Sequence, residues 1–359
     1  MSSAPSIVLT LPNLRLGGAQ RQTVAMANGL CRAGFKCAVF ALGGGELENE
    51  TDGNVRVEVG GVFSFLRMLR RERPDILYSR HWTKILNTAA GKILGIKTVW
   101  TEGNSVEFLK KNRPASYFAH RLFARHADCF TAISRGLAAE CGGYYGRGDV
   151  RVIYNGIDTE LAEKRSAETQ SHKWLADRTS PLVVSVGRLV RQKGFDTLID
   201  AFAILRKTAD ARLLIVGDGG MRDGLKGQIK RLGLEDAVCL AGGRANPYPF
   251  IAAADIYAQP SVYEGFGNTL LEALSLGRPC VSTDYRFAAN EIIEDGKSGL
   301  LVPVGGAQEM AGAILRLIQD PALAGRISAA ARERAEHFSA GKMTENYSAL
   351  FRDLVGEGK

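Results

Sequence analysis

Short apolar runs rich in β-branched and aromatic residues alternate with longer stretches of helical periodicity along the chain. Apolar runs of this length are typical of strands buried on both faces of a parallel sheet, with helices as the crossovers. The predicted strands are Ile7 to Thr10, Cys37 to Leu42, Ile76 to Ser79, Thr98 to Thr101, Cys129 to Ile133, Val150 to Tyr154, Leu182 to Val186, Arg212 to Val216, Val238 to Ala241, Ile256 to Gln259, Cys280 to Thr283 and Leu300 to Val302. The predicted helices include Gln20 to Arg32, Leu86 to Leu94, Gly136 to Tyr144, Phe195 to Arg206, Met221 to Leu232 and Thr269 to Leu276. Two successive β/α series predict an α/β chain with two doubly wound parallel sheets.

The alternation is interrupted once, by the polar and strand-poor segment Leu161 to Ser180. We interpret this segment as the end of a first domain and a linker. The predicted division is a first domain of residues 1–162, a linker of residues 163–180 and a second domain of residues 181–341. From Pro321 onward the pattern predicts three helical segments without a strand, the last being Lys342 to Val355.

The composition is typical of a globular protein, with 45% hydrophobic and 23% charged residues. No apolar run approaches the ~18 residues that a membrane-spanning helix needs. The first fourteen residues carry no base before Arg15, so we expect neither a secretory signal nor a transit peptide. The six cysteines form no C-x-x-C pair, which favours buried thiols in a reducing compartment. We therefore expect a cytoplasmic protein.

The formal net charge of +8 is unevenly distributed. Residues 1–165 hold 23 bases and 15 acids, whereas the remainder holds 23 of each, so the first domain is expected to meet an anionic partner. Phe63 to Arg73 and Phe108 to Arg125 mix bases with apolar residues, which predicts docking on an anionic membrane surface. The alternative is helices that pack by their apolar sides and leave the bases solvated. Nucleic acid is not an expected partner, because no platform of stacking aromatic residues accompanies the bases.

Two loops after predicted strands carry glycines or bases where ligands of an open parallel sheet collect. Gly17 and Gly18 open the first helix, so backbone amides can approach an anion there. Arg188 and Lys193 follow the first strand of the second domain and can converge on a diphosphate, offsetting charge as it leaves. A solvated loop with scattered bases is the alternative reading. Neither the dinucleotide fingerprint nor a P-loop is present, and no D-x-D triplet indicates a metal-held diphosphate.

The segment from Glu264 to Ala273 combines a glycine-rich turn with two carboxylates. Asn268 or Thr269 is expected to cap the following helix, whose first amides face the strand ends. Glu264 before this helix and Glu272 within it can accept hydrogen bonds from the hydroxyls of a sugar and of a ribose, with backbone amides on phosphate between them.

Five motifs in this order resemble those of glycosyltransferase family 4, whose members are retaining nucleotide-sugar transferases of the GT-B fold. They are GGAQ from Gly17, NGID from Asn155 to Asp158, GR with KG from Gly187 to Gly194, GDG from Gly217 to Gly219, and EGFG with a second Glu from Glu264 to Glu272. The resemblance covers nearly the whole chain. It implies two Rossmann-like domains facing across a cleft, with the last helix crossing back onto the first domain.

The resemblance also implies roles for individual residues. Arg188 and Lys193 bind the donor diphosphate, and Glu264 with the following amides binds the donor sugar. The residues assigned to donor and nucleotide binding are Gly17, Gly18, Gly187, Gly265, Phe266, Gly267, Asn268 and Glu272. No metal and no cofactor are expected, because the sugar nucleotide is a substrate.

Three departures from the family pattern affect the expected site. Gln20 stands where a glutamate is usual, and Ala288-Ala289-Asn290 stands where glycines are common. The histidine that many members carry after the fourth strand is absent, and Glu102 stands near that position, either as a polar substitute or, as we favour, as a structural carboxylate at a strand end. His81, at the end of the third predicted strand, is the other candidate on the acceptor side.

The resemblance points to a transferase acting on a glycan or lipid-linked acceptor in lipopolysaccharide or related cell-envelope synthesis, located in the cytoplasm or peripherally on the inner face of the membrane. Two alternatives stay open. One is a sugar-nucleotide epimerase of the same fold, which converts the donor without an acceptor. The other is a non-catalytic nucleotide-sugar-binding protein, which is protected by the nucleotide without turnover.

Overall fold

The computed structural model describes residues 4–170, 172–176 and 179–356. These residues form two compact units. The first unit contains the chain up to Gly156 together with the residues from Ala340 onward, and the second unit is Ile157–Ser339. The division therefore falls six residues before the predicted domain end at residue 162.

The first unit is built on a seven-stranded parallel sheet in the order β3-β2-β1-β4-β5-β6-β7. Its strands are β1 Ser6–Leu11, β2 Lys36–Ala41, β3 Arg56–Val59, β4 Ile76–Ser79, β5 Lys97–Glu102, β6 Cys129–Ala132 and β7 Arg151–Val152. Its helices before residue 157 are α1 Gly18–Arg32, α2 Val62–Glu72, α3 Thr83–Leu94, α4 Val106–Asn112, α5 Pro114–Ala124 and α6 Arg135–Tyr145. The predicted doubly wound parallel sheet is confirmed.

Strand β1 shows why helices cover both faces of this sheet. Its side chains alternate in direction, so Val8 joins one cluster with Phe65 of α2, while Ile7 and Leu9 join another with Val24 of α1. All five of these side chains are at most 2% exposed. A strand that is apolar on both faces requires this two-layer cover.

The second unit contains a six-stranded parallel sheet in the order β10-β9-β8-β11-β12-β13. Its strands are β8 Leu182–Val186, β9 Arg212–Val216, β10 Val238–Gly242, β11 Ile256–Gln259, β12 Cys280–Thr283 and β13 Leu300–Val302. Its helices are α7 Thr159–Ser166, α8 Lys173–Ala176, α9 Phe195–Leu205, α10 Arg222–Arg231, α11 Tyr248–Ala252, α12 Asn268–Ser275, α13 Ala289–Ile292, α14 Ala307–Gln319 and α15 Pro321–Glu336.

The last helix, α16 Ala340–Val355, belongs to the first unit. Met343, Tyr347, Leu350 and Phe351 are buried in the same cluster as β1 and α1. The Tyr347 hydroxyl lies 3.3 Å from that of Tyr78 in β4. The prediction of three helical segments after Pro321 is wrong, because α15 continues without a break to Glu336 and α16 is the one helix after it in the described residues, which end at Gly356.

Two further expectations differ from the structure. Helix α7 overlaps the start of the predicted linker of residues 163–180, and helix α8 lies within it. Three linker residues, Ser171, Asp177 and Arg178, lie outside the described residues. Helix α7 forms in this polar segment because Asp158 caps it, with Oδ1 accepting from the Leu161 amide at 2.9 Å. Strand β3 has no counterpart among the predicted strands. Its four residues are exposed or half-buried, so it lacks the apolar run of a central strand.

Candidate functional site

In the second unit, the loops after β8 and β11 bring two of the predicted site residues into contact. These strands are neighbours in the sheet, so their carboxyl ends lie side by side. Lys193 Nζ lies 2.5 Å from Glu264 Oε1, and their side chains are 15% and 10% exposed. The sequence assigned Lys193 to a diphosphate and Glu264 to a sugar. The structure places both charges together, beyond the carboxyl ends of β8 and β11.

Only one of the two carboxylate oxygens of Glu264 has hydrogen-bond partners among the described residues. Its Oε1 also accepts from Ser261 Oγ at 2.7 Å, whereas Oε2 accepts no hydrogen bond from the described residues. The loops themselves are joined, because Gln192 Nε2 donates to the Tyr263 carbonyl at 3.0 Å. Ser261 and Gln192 were not predicted from sequence. Their one signal is proximity, since each lies within three residues of a predicted site residue.

Arg188, unlike Lys193, has an exposed side chain. It lies close enough to Tyr263 to lower the pKa of that phenol, which burial and the Glu264 carboxylate raise. Arg188 is therefore adjacent to the Glu264 loop and open to solvent. An exposed guanidinium in this place can meet an anionic ligand that approaches from solvent.

The GDG motif packs under the same loop. Gly217 has a φ of 154°, and a Cβ there would lie 1.8 Å from the Gly187 carbonyl oxygen. The Leu189 amide donates to the Asp218 carbonyl at 2.9 Å. Gly217 is thus a glycine because the β8 loop and the β9 loop touch backbone to backbone.

Helix α12 starts without the predicted side-chain cap. Gly267 is the N-cap, with φ 112°, and neither Asn268 nor Thr269 caps the helix. Thr269 Oγ1 donates instead to Gln259 Oε1 at 3.0 Å, inside the unit. Glu272 lies in the second turn, where the Tyr248 hydroxyl donates to its Oε1 at 3.5 Å. Glu264 therefore precedes the glycine-rich turn, and Glu272 lies within the helix that follows the turn.

Gly17 is the N-cap of α1, in an extended conformation with φ −171°. The side-chain oxygen of Gln20 folds back over Gly17, 2.5 Å from where a Cβ would stand. The side chain beside Gly17 is thus a neutral amide, where the resemblance leads one to expect a carboxylate.

His81 follows β4, and its backbone amide donates to Ser79 Oγ at 3.1 Å. Its Nε2 is buried and has no hydrogen-bond partner among the described residues. Burial, with the charges of Arg80 and Lys84, lowers the pKa of His81 to about 3. The imidazole is therefore neutral at physiological pH, and the predicted place of His81 on the acceptor side stays a prediction.

Glu102, the last residue of β5, is held in a buried polar cluster. Lys84 Nζ lies 2.6 Å from Glu102 Oε2, and the two side chains are only 4% and 8% exposed. The Tyr145 hydroxyl donates to the same oxygen at 3.3 Å, and the Lys84 ammonium lies 4.8 Å from the centre of the Trp100 ring. These contacts describe a structural carboxylate. Its predicted place on the acceptor side stays a prediction.

The NGID motif has structural contacts in both units. Asn155 Oδ1 accepts from the buried Arg80 Nη1 at 3.0 Å, and the Gly156 amide and carbonyl pair with the side chain of Gln22 at 3.1 and 2.7 Å. Asp158 caps α7 as described above. The motif therefore ends the first stretch of the first unit, at Gly156, and starts the second unit.

Within residues 4–170, 172–176 and 179–356, no group of histidine, cysteine and acidic side chains is arranged to hold a metal ion. No helix in the same part of the chain combines the length and apolar character of a membrane span.

Comparison with known proteins identifies the family. Residues 16–161 match the family described as Glycosyltransferase Family 4, and residues 166–334 match the glycosyl transferases group 1. The lipopolysaccharide core biosynthesis glycosyltransferase LpsE of Rhizobium meliloti is 28% identical over 346 residues, covering 93% of this chain and 95% of the relative. LpsD of the same organism, another lipopolysaccharide core biosynthesis glycosyltransferase, is 30% identical over 245 residues, covering 67% of this chain and 68% of the relative.

The solved structure of the Anabaena protein HepE in complex with UDP-glucose superposes with a TM-score of 0.84 at 24% identity, covering 97% of this chain and 99% of that one. This likeness establishes the fold of two Rossmann-like domains that the motifs imply. The chain therefore belongs to glycosyltransferase family 4 and is a glycosyltransferase of the GT-B fold.

Proposed function

We propose that this glycosyltransferase moves a sugar, with retention of configuration, from a nucleotide-diphosphate sugar to a hydroxyl of a glycan or lipid-linked acceptor in lipopolysaccharide or related cell-envelope synthesis. The observation that carries this proposal is the contact of Lys193 with Glu264 at adjacent strand ends, beside the exposed Arg188. The two Rhizobium meliloti relatives are lipopolysaccharide core biosynthesis glycosyltransferases, which supports the class of product. The complex of the Anabaena protein supports a sugar-nucleotide donor.

The proposed step breaks the bond between the anomeric carbon and a diphosphate oxygen, which leaves with the electron pair. The acceptor oxygen bonds to the same face of that carbon, and its proton passes to the leaving phosphate. Arg188 and Lys193 offset the charge that develops on the diphosphate, without a bound metal. Glu264 uses its unpartnered Oε2 to accept from donor-sugar hydroxyls, and Glu272 accepts from the ribose. No side chain acts as a nucleophile.

The two glutamates provide the test of this assignment. Calorimetry should first find a sugar nucleotide, among UDP-, GDP-, ADP- and TDP-sugars, that the wild-type protein binds. Glu272→Ala should then weaken the binding of both the nucleoside diphosphate and the sugar nucleotide by about tenfold, because a ribose hydroxyl pair loses its acceptor. Glu264→Ala should weaken the binding of the sugar nucleotide and leave the binding of the nucleoside diphosphate unchanged.

Glu235→Ala, an exposed carboxylate elsewhere in the second unit, is the control and should bind both ligands normally. Equal weakening of the bare nucleotide by Glu264→Ala and Glu272→Ala would contradict the two roles. For the reaction itself, NMR of the product should show the anomeric configuration of the donor. An inverted product would refute retention.

We also propose that the first unit docks reversibly on the anionic inner face of the membrane through a surface formed by α4 and α5. Phe108, Phe118 and Leu122 are 47%, 64% and 48% exposed there. Five exposed bases accompany them, namely Lys110, Lys111, Arg113, Arg121 and Arg125. Exposed bases beside apolar side chains are what an anionic leaflet attracts, at ~1 kcal/mol for each base.

Helix α2, the other segment that the sequence singled out, supports docking less well. Phe65, Met68 and Leu69 face the core, and Arg71 is ion-paired with Glu58 at 3.0 Å. Phe63 is nevertheless 87% exposed at the start of the helix. We therefore expect α2 to contribute weakly.

Vesicle co-sedimentation separates these surfaces. The wild type should bind anionic vesicles at low salt and release them as salt rises, since the attraction is screened. Lys110→Glu with Lys111→Glu should remove most of this binding, by about tenfold or more. Arg70→Glu with Arg71→Glu should have a smaller effect. The control, Lys226→Glu with Lys230→Glu in α10, changes the charge equally on exposed residues of the second unit.

Equal binding of the wild type to anionic and neutral vesicles at low salt would refute the docking proposal. Loss of binding in the α10 control as large as that in the α4 variant would show a response to net charge alone. Neither result would affect the transferase proposal, because donor binding is measured without vesicles.

A further inference from the structure

The segment that carries Glu264 is anchored by buried polar groups from two strands. At its start, Thr283 Oγ1 of β12 donates to the Ser261 carbonyl at 2.5 Å. At its end, Thr269 is bonded to Gln259 of β11 as described above. Between these points the Tyr285 hydroxyl donates to the Phe266 carbonyl at 2.7 Å.

Tyr285 also occupies the space beside Gly267. A Cβ on Gly267 would lie 2.1 Å from the Tyr285 hydroxyl oxygen and 3.1 Å from Gln259 Nε2. Tyr285 is 1% exposed, so its ring cannot move aside into solvent. The glycine is thus required by the tyrosine as well as by its own φ of 112°.

This bond determines the direction of one backbone amide. The Phe266 carbonyl and the Gly267 N–H belong to the same peptide unit, and no described peptide bond is cis. In a trans unit the two groups point in opposite directions. Because the carbonyl points at Tyr285, the Gly267 N–H points away from it, and this N–H donates to no acceptor among the described residues.

The segment that supplies Tyr285 is itself held by packing. Phe287 has a backbone φ of 93°, which residues other than glycine rarely adopt, and Ala288 after it is fully buried. Arg286 lies 4.8 Å from the centre of the Phe287 ring. Phe287 is itself buried and is followed by a buried residue, so packing holds its strained backbone in place, as expected for a support of a binding site.

We infer that Tyr285 is a positioning residue that aims the Gly267 amide at the sugar nucleotide and keeps the Glu264 turn in its binding conformation. This inference rests on the proposed function, since it assigns the amide to that donor. Tyr285 does not touch the donor. It acts through the Phe266–Gly267 peptide unit.

Calorimetry of the full chain with the sugar nucleotide and with the nucleoside diphosphate tests this role. Tyr285→Phe keeps the ring and removes the hydroxyl. It should raise the Kd of the sugar nucleotide about tenfold and change the Kd of the nucleoside diphosphate by less than about twofold. The matched control is Tyr117→Phe in the first unit, which removes another tyrosine hydroxyl that donates to a backbone carbonyl, that of Tyr144 at 3.2 Å.

A second measurement keeps the inference testable if Tyr285→Phe is poorly stable. Leu270 and Leu271 donate to the Gly267 carbonyl at 3.0 and 3.1 Å. Hydrogen–deuterium exchange of their amides should accelerate in Tyr285→Phe and not in Tyr117→Phe.

Unchanged exchange, or equal loss of affinity for both ligands, would overturn the positioning role. Failure of the wild-type protein to bind any sugar nucleotide would instead overturn the proposed function. The two failures are therefore distinguishable.

Discussion

Replacement of Lys193 or Arg188 by alanine is expected to lower the rate of sugar transfer by about 100-fold or more, because each removes a preorganised cation from the leaving diphosphate. Lys193→Ala should also lower stability, since Glu264 is only 8% exposed and would lose its ion pair. Arg188→Ala should leave stability unchanged, because the Arg188 side chain is exposed. Single-turnover kinetics with saturating donor, together with thermal unfolding, separates these effects.

The control is Arg191→Ala, an exposed base in the same 3₁₀ turn as Lys193, which should transfer sugar at the wild-type rate. EDTA should leave the wild-type rate unchanged. Full loss of activity in EDTA, restored by Mg²⁺ or Mn²⁺, would show that a metal offsets the diphosphate charge. A rate within about threefold of wild type in Arg188→Ala would remove that residue from the mechanism.

A loss of about 3–5 kcal/mol in the free energy of unfolding is expected for Glu102→Ala. The reason is that Lys84 would remain buried, 4% exposed, without its partner carboxylate at 2.6 Å. Replacing both members by apolar residues, as in Lys84→Met with Glu102→Leu, should cost much less, because no unpaired charge remains. Urea denaturation followed by tryptophan fluorescence measures both.

Lys97→Ala is the matched control for this prediction. It breaks a lysine–carboxylate pair with Asp128 in the same sheet, at 3.3 Å, whose side chains are 51% and 33% exposed. An exposed pair contributes about 0–1 kcal/mol. If Glu102→Ala were as mild as Lys97→Ala, the buried cluster would not stabilise the first unit.

The strands that lie inside the sheets were predictable from sequence because their apolar runs are continuous. The predicted bounds of Leu182–Val186, Ile256–Gln259 and Cys280–Thr283 coincide with β8, β11 and β12. Strand β3 was not predictable in this way. Its Arg56 and Glu58 form ion pairs with each other and with α2, and such contacts leave no periodic signal.

The site was predictable as a set of strand-end loops but not as a set of contacts. A parallel sheet brings the loops after β8 and β11 together, which follows from strand order alone. That Lys193 pairs with Glu264 depends on rotamers and on Ser261, which a linear motif does not encode. Tyr285 carries no signal at all, because a buried aromatic residue after a strand is ordinarily part of the core.

The placement of α16 has a consequence for the order in which the chain is completed during synthesis. The core of the first unit includes Met343, Tyr347, Leu350 and Phe351, yet all of Ile157–Ser339 is made before them. At a translation rate of about 5–20 residues per second, roughly 10–40 s therefore pass between the synthesis of the last strand of the first unit and that of α16. Throughout that interval the face of β1 that α16 covers is exposed on the nascent chain, and by its end the second unit has every residue of its own core.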